Sequence, residues 1–142
     1  MTPEERNVAT LREGNRLWRE TKAGSIDYWL SIIADDIVIN SLASGARNIE
    51  FTKQQFSRGG MQAYLTALTQ AWSMNYHRID EYIAQGDKVV AIGNISWTNK
   101  ATGKVCTTRK VDVWTFNPGG KVVDFLEMYD TAALFAAATP DA

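Results

Sequence analysis

Apolar residues recur at helical spacing in three stretches of the first half of the chain. The first stretch runs from Pro3 to about Lys22 and stops before Gly24, the second follows a capping Ser25, and the third opens at Gly59. The apolar stripes are Val8, Leu11 and Trp18 in the first stretch, Ile26, Trp29, Leu30 and Ile33 in the second, and Met61, Tyr64, Leu65, Leu68 and Trp72 in the third. These spacings predict three amphipathic helices.

A β-branched segment and a long loop separate the second predicted helix from the third. We expect Asp35 and Asp36 to end the second helix, and the β-branched run 37–40 predicts a strand. Residues 44–57 show no clear period and are expected to form a loop, with a strand fragment as an option. A loop of this length in a compact domain is more often functional than idle.

Strand patterns dominate from residue 74 onward. Strands are predicted near 75–84, 88–98, 104–116 and 121–130, and the segment 132–138 predicts a terminal helical turn. The order of helix, helix, strand, helix and four-stranded meander predicts an α+β fold, with three helices covering one face of a curved, mainly antiparallel sheet. No linker or internal repeat interrupts residues 1–142, so we expect a single domain.

Two of these predicted strands carry carboxylates among aromatic side chains. Period-two geometry places Asp112 on one face with Trp114 and Phe116, and Glu127 on one face with Phe125 and Tyr129. An exposed strand usually separates its acidic residues from its aromatic ones. The mixture therefore indicates an apolar pocket with a few polar groups, with acids at a wet sheet edge as the alternative.

Composition narrows the classes of function. The chain is 45% hydrophobic and 11% aromatic, and its net charge of −1 comes with scattered basic residues, so no nucleic-acid footprint is present. No apolar run is long enough to span a membrane, and the N-terminus lacks a signal-peptide pattern, so we expect a cytoplasmic protein without membrane contact. A single cysteine, Cys106, excludes an internal disulfide, and one histidine, His77, makes a metal site uncommon. Phosphate-binding loops are absent, so no cofactor is expected.

Several loose motifs, taken in order, resemble the SnoaL-like group of the nuclear transport factor 2-like superfamily, which also contains ketosteroid isomerase. The motifs are Gly24-Ser25-Ile26-Asp27, Ala34-Asp35-Asp36, Gly86-Asp87-Lys88-Val89-Val90, Trp114-Thr115-Phe116 with Gly120-Lys121-Val122, and Glu127-Met128-Tyr129-Asp130. The resemblance spans nearly the whole chain and implies a cone-shaped α+β domain whose helices and sheet enclose a pocket. It says less about function, because this fold hosts enzymes, ligand binders and association modules.

The resemblance to ketosteroid isomerase provides a test residue by residue. The position of the general base falls on Ser41, the tyrosine of the oxyanion hole falls on or near Leu17, and the protonated aspartate matches Asp112. A serine hydroxyl does not accept a proton near neutrality without a base of its own. One of the three groups is present, so steroid isomerisation by the familiar route is not expected.

Two other relatives lead to different expectations. In limonene epoxide hydrolase the final-strand aspartate falls on Glu127, but its Arg-x-Asp pair falls on Asn94-Ile95-Ser96, which argues against epoxide hydrolysis. The SnoaL-type polyketide cyclases need only one well-placed carboxyl group, which Asp112 or Glu127 provides.

We expect Asp112 and Glu127 to be the catalytic residues. Burial beside aromatic rings raises a carboxyl pKa, and two close carboxyls separate into an acid and a base. An ion pair between Asp112 and Lys110 is the structural alternative. The residues expected to line the ligand pocket are Tyr129, Asn94, Ser41, Trp114, Tyr64, Leu17, Trp29 and Leu68.

Three functions follow from this pattern. The first is a cofactor-independent isomerase or cyclase that uses the two carboxyls on a small, mostly apolar carbonyl compound. The alternatives are a non-catalytic binder of a small apolar ligand and a dimeric association module. A homodimer is also expected. Val111 and Val113 are on the face of their strand opposite to Asp112, and Ala91, Ile95 and Trp97 are on the face opposite to Asn94. These residues would form an exposed apolar surface on the sheet, which favours a symmetric partner.

Overall fold

Four helices and six strands make up the protein in the computed structural model, which describes residues 1–142. They are α1 (Pro3–Glu20), α2 (Ile26–Ser31), β1 (Ile33–Ser41), β2 (Gln55–Phe56), α3 (Ser57–Ala71), β3 (Trp72–Gln85), β4 (Lys88–Asn99), β5 (Val105–Phe116), β6 (Val122–Tyr129) and α4 (Thr131–Ala138). Two short 3₁₀ turns, Ala46–Asn48 and Glu50–Thr52, lie in the predicted loop between β1 and α3.

The six strands form one mixed sheet in the order β2-β1-β6-β5-β4-β3. The predicted meander β3 to β6 is antiparallel throughout, and β1 returns parallel to β6. The register of β3 against β4 shifts after Met74 and after Ile79, and such bulges bend a strand and increase its twist. The α+β class with a mainly antiparallel sheet is therefore confirmed.

The helices cover one face of this sheet, and they pack on it near its two opposite edges. Helix α1 starts at a capping box in which Thr2 and Glu5 bond each other's backbone, and it packs against β3. Helix α3 packs against β1 near the other edge. The alternate residues of β5 from Cys106 to Phe116 are buried beneath the helices, as the period-two pattern predicts.

Several element boundaries differ from those predicted. Helix α2 ends at Ser31, and Asp35 and Asp36 belong to β1 because Ile33 and Ile37 are already buried strand residues. Trp72 begins β3 instead of ending α3. The C-terminal segment forms the full helix α4, a fourth helix in place of a single turn, and Asp130 caps its N-terminus.

The surface expected to hold a dimer partner also differs. Ala91, Ile95 and Trp97 are at most 8% exposed and face the helices, so they provide no outer surface. The outer face of β4 instead presents Val90 and Ile92, which are partly exposed. The prediction assigned the two faces of β4 the wrong way round.

None of the helices combines the length and the apolar character needed to cross a lipid bilayer.

Candidate functional site

A cavity lies between the helices and the inner face of the sheet. The space in it that is open to the centre of a water molecule is about 70 Å³, whereas one water needs roughly 10–15 Å³ on that measure. Of the 21 residues that line the cavity, 15 are hydrophobic. It is therefore suited to a small molecule that is mostly apolar and carries a few polar groups.

The polar groups of the cavity come from adjacent rows of the sheet. Register pairs Asp112 of β5 with Glu127 of β6, and Glu127 with Ser41 of β1, so these three side chains form one row across three strands. The neighbouring row on the same inner face contains Lys110 of β5, which is paired with Tyr129 of β6. Strand alternation thus places a lysine, two carboxyls and two hydroxyls together.

Lys110 lies between the two carboxyl groups. Its Nζ is 3.5 Å from Oδ1 of Asp112 and 3.3 Å from Oε1 of Glu127. Its side chain is 11% exposed, and those of Asp112 and Glu127 are 1% and 3% exposed. Burial opposes the charge of Lys110, but the two carboxyl groups outweigh burial and raise its pKa. The expected ion pair with Lys110 is therefore present, and it includes both acids.

Asp112 is the polar group with the most capacity left for a ligand. Both of its carboxyl oxygens are buried and accept no hydrogen bond from the protein. Burial raises the pKa of Asp112 to about 7, against the opposing effect of Lys110 and with a further contribution from Glu127. A carboxyl group with such a pKa takes up and releases protons near neutral pH, as a general acid or base must.

Glu127, by contrast, is occupied by protein donors. Tyr64 Oη donates to its Oε1 at 2.6 Å, and Ser41 Oγ donates to its Oε2 at 2.7 Å. Ser41 also bonds the hydroxyl of Tyr129, which accepts from the backbone N–H of Ala43. This network holds Glu127 beside Lys110 and leaves it less free than Asp112 to bind a ligand.

Aromatic rings form the wall around these polar groups. Trp114 stacks on Trp29 with ring centroids 5.2 Å apart, and its centroid lies 4.2 Å from that of Phe125. The indole Nε1–H of Trp114 is buried and has no acceptor in the protein. The wall therefore offers one unused hydrogen-bond donor two residues from Asp112.

The structure brings most of the sequence-predicted site residues to the cavity. Those that line it are Asp112, Glu127, Tyr129, Trp114, Tyr64, Trp29 and Leu68. Ser41 lies directly behind Glu127 and is 2% exposed.

Two predicted site residues lie away from the cavity. Asn94 is on the outer face of β4, where its side-chain amide donates to Asp80 at 3.3 Å. Leu17 is partly buried on α1, but α1 lines the cavity with Asn15 and Trp18. The hundred-degree rotation per helical residue turns Leu17 aside from Trp18.

Sequence reasoning did not select Lys110, Asn15 or His77 as site residues. Lys110 is two residues from Asp112 on the same strand, so alternation predicts that both side chains face inward. The sequence did not show that Lys110 would pair with Glu127 as well as with Asp112. Asn15 interrupts the apolar stripe of α1 between Leu11 and Trp18, which was a usable signal of a buried polar group. His77 gave no such signal, because β3 is exposed at most of the positions around it.

No three of the His, Cys, Asp and Glu side chains come together as a possible metal-binding group. The arrangement instead combines a buried carboxyl with raised pKa, an ammonium group 3.5 Å away and an apolar surround. Chemically, this arrangement can move a proton and stabilise negative charge on a neighbouring oxygen.

Comparison with solved structures finds the same fold in several other proteins. An NTF2-like protein of unknown function from Burkholderia pseudomallei superposes with a TM-score of 0.80 at 20% identity, over 98% of this chain and 99% of that one. TerC, co-crystallized with polyporic acid, gives a TM-score of 0.76 at 20% identity over 93% and 97% of the two chains. A protein from Jannaschia sp. CCS1, named for its likeness to SnoaL polyketide cyclases, gives 0.75 at 17% identity over 99% and 97%.

Sequence comparison identifies the family. No curated protein sequence is significantly similar to the chain. The model of the SnoaL-like domain matches residues 15–125, which include α2, α3 and the strands β1 to β5 in full. The chain therefore belongs to the SnoaL-like family and has the cone-shaped α+β fold of the NTF2-like proteins.

Proposed function

We propose that the protein catalyses proton transfer on a small, mostly apolar carbonyl compound, without a metal or nucleotide cofactor. The ionised carboxyl of Asp112 removes a proton from the carbon next to the carbonyl, and the electron pair of that C–H bond moves to the carbonyl oxygen. Where the enolate is conjugated with a C=C bond, Asp112 returns the proton to the γ-carbon and the C=C bond moves into conjugation with the carbonyl. Alternatively, the enolate carbon attacks a second carbonyl of the same molecule, whose π electrons move to its oxygen, and that oxygen takes the proton back from Asp112. The first outcome is an isomerisation and the second a cyclisation.

The observation that supports this function is the buried carboxyl of Asp112, which is paired with Lys110 at 3.5 Å but accepts no hydrogen bond from the protein on either oxygen. A buried carboxyl whose oxygens accept no hydrogen bond is costly to a fold even beside an ammonium group, so such groups concentrate at functional sites. Its pKa of about 7 suits proton transfer at neutral pH. An ordinary structural ion pair would have its oxygens bonded, as those of Glu127 are.

We assign the stabilisation of the negative charge on the carbonyl oxygen to the groups on either side of Asp112. The ammonium of Lys110 lies two residues before it on the inner face of β5, and the indole N–H of Trp114 lies two residues after it. Donors that are already in place act strongly on a developing oxyanion, because they need no reorganisation during the reaction. Glu127 positions Lys110 through its 3.3 Å contact.

The structural neighbours support a small-molecule ligand. TerC was co-crystallized with polyporic acid, and the Jannaschia protein carries the polyketide cyclase name. The apolar wall and small volume of the cavity are consistent with such a ligand. An association module would need no internal cavity with buried ionisable groups.

Hydrogen exchange on a probe ketone tests the function. We expect the protein to accelerate the exchange of the α-hydrogens of 2-tetralone in D₂O, followed by proton NMR. Asp112→Asn keeps the shape of the side chain but removes the base, so the acceleration should fall by about 10²–10⁴-fold. The rate should rise with pH around 7, because only the ionised carboxyl accepts a proton.

The matched control is Asp124→Asn on the same sheet. Asp124 lies on β6, does not line the cavity, and should leave the exchange rate unchanged. Full activity in the Asp112→Asn variant would contradict the function. Binding of 2-tetralone by the native protein without any exchange would identify a non-catalytic binder instead.

We also propose that the molecule is a homodimer. Two adjacent cross-strand rows of partly exposed apolar side chains lie on the outer face of the sheet: Val90, Val113 and Leu126 form one row, and Ile92, Val111 and Met128 form the other. A contiguous apolar face of this kind supports a symmetric partner.

A further inference from the structure

A second polar cluster lies on the cavity wall, away from the carboxyl groups. His77 of β3 and Asn15 of α1 both line the cavity, and both are buried. His77 Nε2 lies 3.1 Å from Oδ1 of Asn15, and the amide nitrogen of Asn15 donates to the hydroxyl of Tyr82 at 2.9 Å. The proposed proton transfer uses none of these three residues.

The hydrogen-bond partners assign the tautomer of His77. Because the amide nitrogen of Asn15 donates to Tyr82, the amide oxygen is the atom that faces the imidazole. A carbonyl oxygen only accepts, so Nε2 of His77 carries the proton. Nδ1 is then an unprotonated nitrogen with a lone pair available.

No protein group donates to this lone pair. Nδ1 is buried without a hydrogen-bond partner, and the whole residue is 3% exposed. Burial lowers the pKa of His77 to about 3, with further lowering from Lys110 and Arg19, so the ring is neutral at physiological pH. Buried polar atoms of native proteins nearly always have a partner, and one that lacks it on a cavity wall is suited to a ligand.

We propose that Nδ1 of His77 is a ligand subsite that accepts a hydrogen bond from a hydroxyl group of the bound molecule. This subsite rests on the proposed function, because the carbonyl group of the same molecule lies at Asp112 and Lys110. The ligand class is accordingly a hydroxylated ketone with an apolar ring body, and His77 determines specificity for the hydroxyl.

The sheet register sets the separation of the two polar positions. His77 pairs with Ile95, and Ile95 pairs with Thr108, which is four residues from Asp112 along β5. His77 is therefore two strands and four positions away from Asp112, or roughly 10 Å across the sheet and 13 Å along it between backbones. One functional group cannot serve both positions, so the hydroxyl lies at the far end of the molecule from the carbonyl.

A pair of probe ketones tests the subsite by binding. In native protein we expect 6-hydroxy-2-tetralone to bind about 3- to 10-fold more tightly than 2-tetralone, as one additional hydrogen bond provides. His77→Phe removes the acceptor and should abolish this preference. His77→Gln retains an acceptor oxygen and should keep part of it. Tryptophan fluorescence measures the affinities.

The single histidine of the chain allows a direct measurement on the native protein. With ¹⁵N-labelled histidine, Nδ1 should appear as an unprotonated nitrogen whose resonance moves on addition of 6-hydroxy-2-tetralone but not of 2-tetralone. This measurement needs no variant, so it holds even where His77→Phe fails to fold. A protonated Nδ1 in the free protein would overturn the proposal.

Other outcomes of the binding experiment also decide whether His77 forms a ligand subsite. Equal affinity of native protein for the two ketones, or no binding of either at millimolar concentration, would overturn the subsite. A preference for the hydroxylated ketone that survives in His77→Phe would do the same. The protein could also prefer the hydroxylated ketone through His77 but catalyse no exchange of α-hydrogens. That result would support the subsite and contradict only the proton-transfer function.

Discussion

Burial of Asp112 makes the stability of the protein depend on pH. The folded chain holds a proton on this carboxyl up to about pH 7, whereas an unfolded chain releases it near pH 4. Between these values the folded state binds more protons, so the free energy of unfolding falls as pH rises. Asp112 therefore stabilises the fold least at the pH at which it acts as a base.

Asp112→Asn should consequently be more stable than the native protein above pH 7. The neutral amide has no charge to bury, and we expect a gain in the free energy of unfolding of roughly 2–4 kcal/mol at pH 8 that disappears near pH 4. Urea denaturation at a series of pH values measures it. Asp124→Asn, which removes a carboxyl outside the cavity, should show no comparable trend. A variant that is equally destabilised at every pH would contradict this account.

The sequence predicted the inward-facing residues of some strands better than those of others. On β5 and β6 the aromatic and acidic residues alternate clearly, so the sequence placed Asp112 and Glu127 on one inner face, where the structure has them. On β4 both faces are apolar, and alternation alone did not decide whether Asn94 or Ile95 faces inward. Contacts between distant elements, such as His77 with Asn15, leave no periodic trace.

The packing of α2 against α1 depends on a single glycine. A Cβ atom at Gly14 would lie 2.8 Å from Cη2 of Trp29 and 2.9 Å from Cε2 of Tyr28, which is closer than carbon atoms approach. Trp29 also stacks on Trp114 at the cavity wall. The helix pair therefore sets the position of one face of the cavity.

Gly14→Ala should destabilise the protein although alanine favours helices. Overpacking against Trp29 should outweigh the gain in helix propensity and leave a net loss of about 1–2 kcal/mol. Chemical denaturation followed by tryptophan fluorescence measures the loss. The control is Gly59→Ala in α3, where the nearest atom to a new Cβ is 3.7 Å away. That variant should be neutral or more stable by up to about 1 kcal/mol. Stabilisation by Gly14→Ala would show that Trp29 moves freely.

Element boundaries were less predictable than element types. The apolar run around Ile33 fits a helix and a strand equally well, and pairing with Val122 of β6 decides in favour of the strand. The alanine-rich segment after Asp130 has almost no amphipathic pattern, but packing against β5 completes it as a helix. In both places a distant strand supplies the information that the local sequence lacks.

At the scale of the whole molecule, both faces of the sheet carry apolar side chains, over most of the inner face and in two adjacent rows of the outer face. The inner face is covered by helices, but the outer rows centred on Val113 and Val111 have no covering element in the chain. Partly exposed valine, isoleucine, leucine and methionine side chains in adjacent rows favour association with a second sheet. A two-fold axis would place the same rows of both molecules against each other.

Val113→Lys should therefore convert a dimer into a monomer. Val113 is the middle residue of its row, between Val90 and Leu126, and two symmetry-related lysines would face each other without a counter-ion. Light scattering and sedimentation at micromolar concentration measure the mass. The control is Val105→Lys, the same substitution on the same strand, eight residues or roughly 27 Å away. Val105 is already 56% exposed, so this variant should keep the native mass. A native protein of monomer mass would refute the interface, whereas a dimer that survives Val113→Lys would place it on another surface.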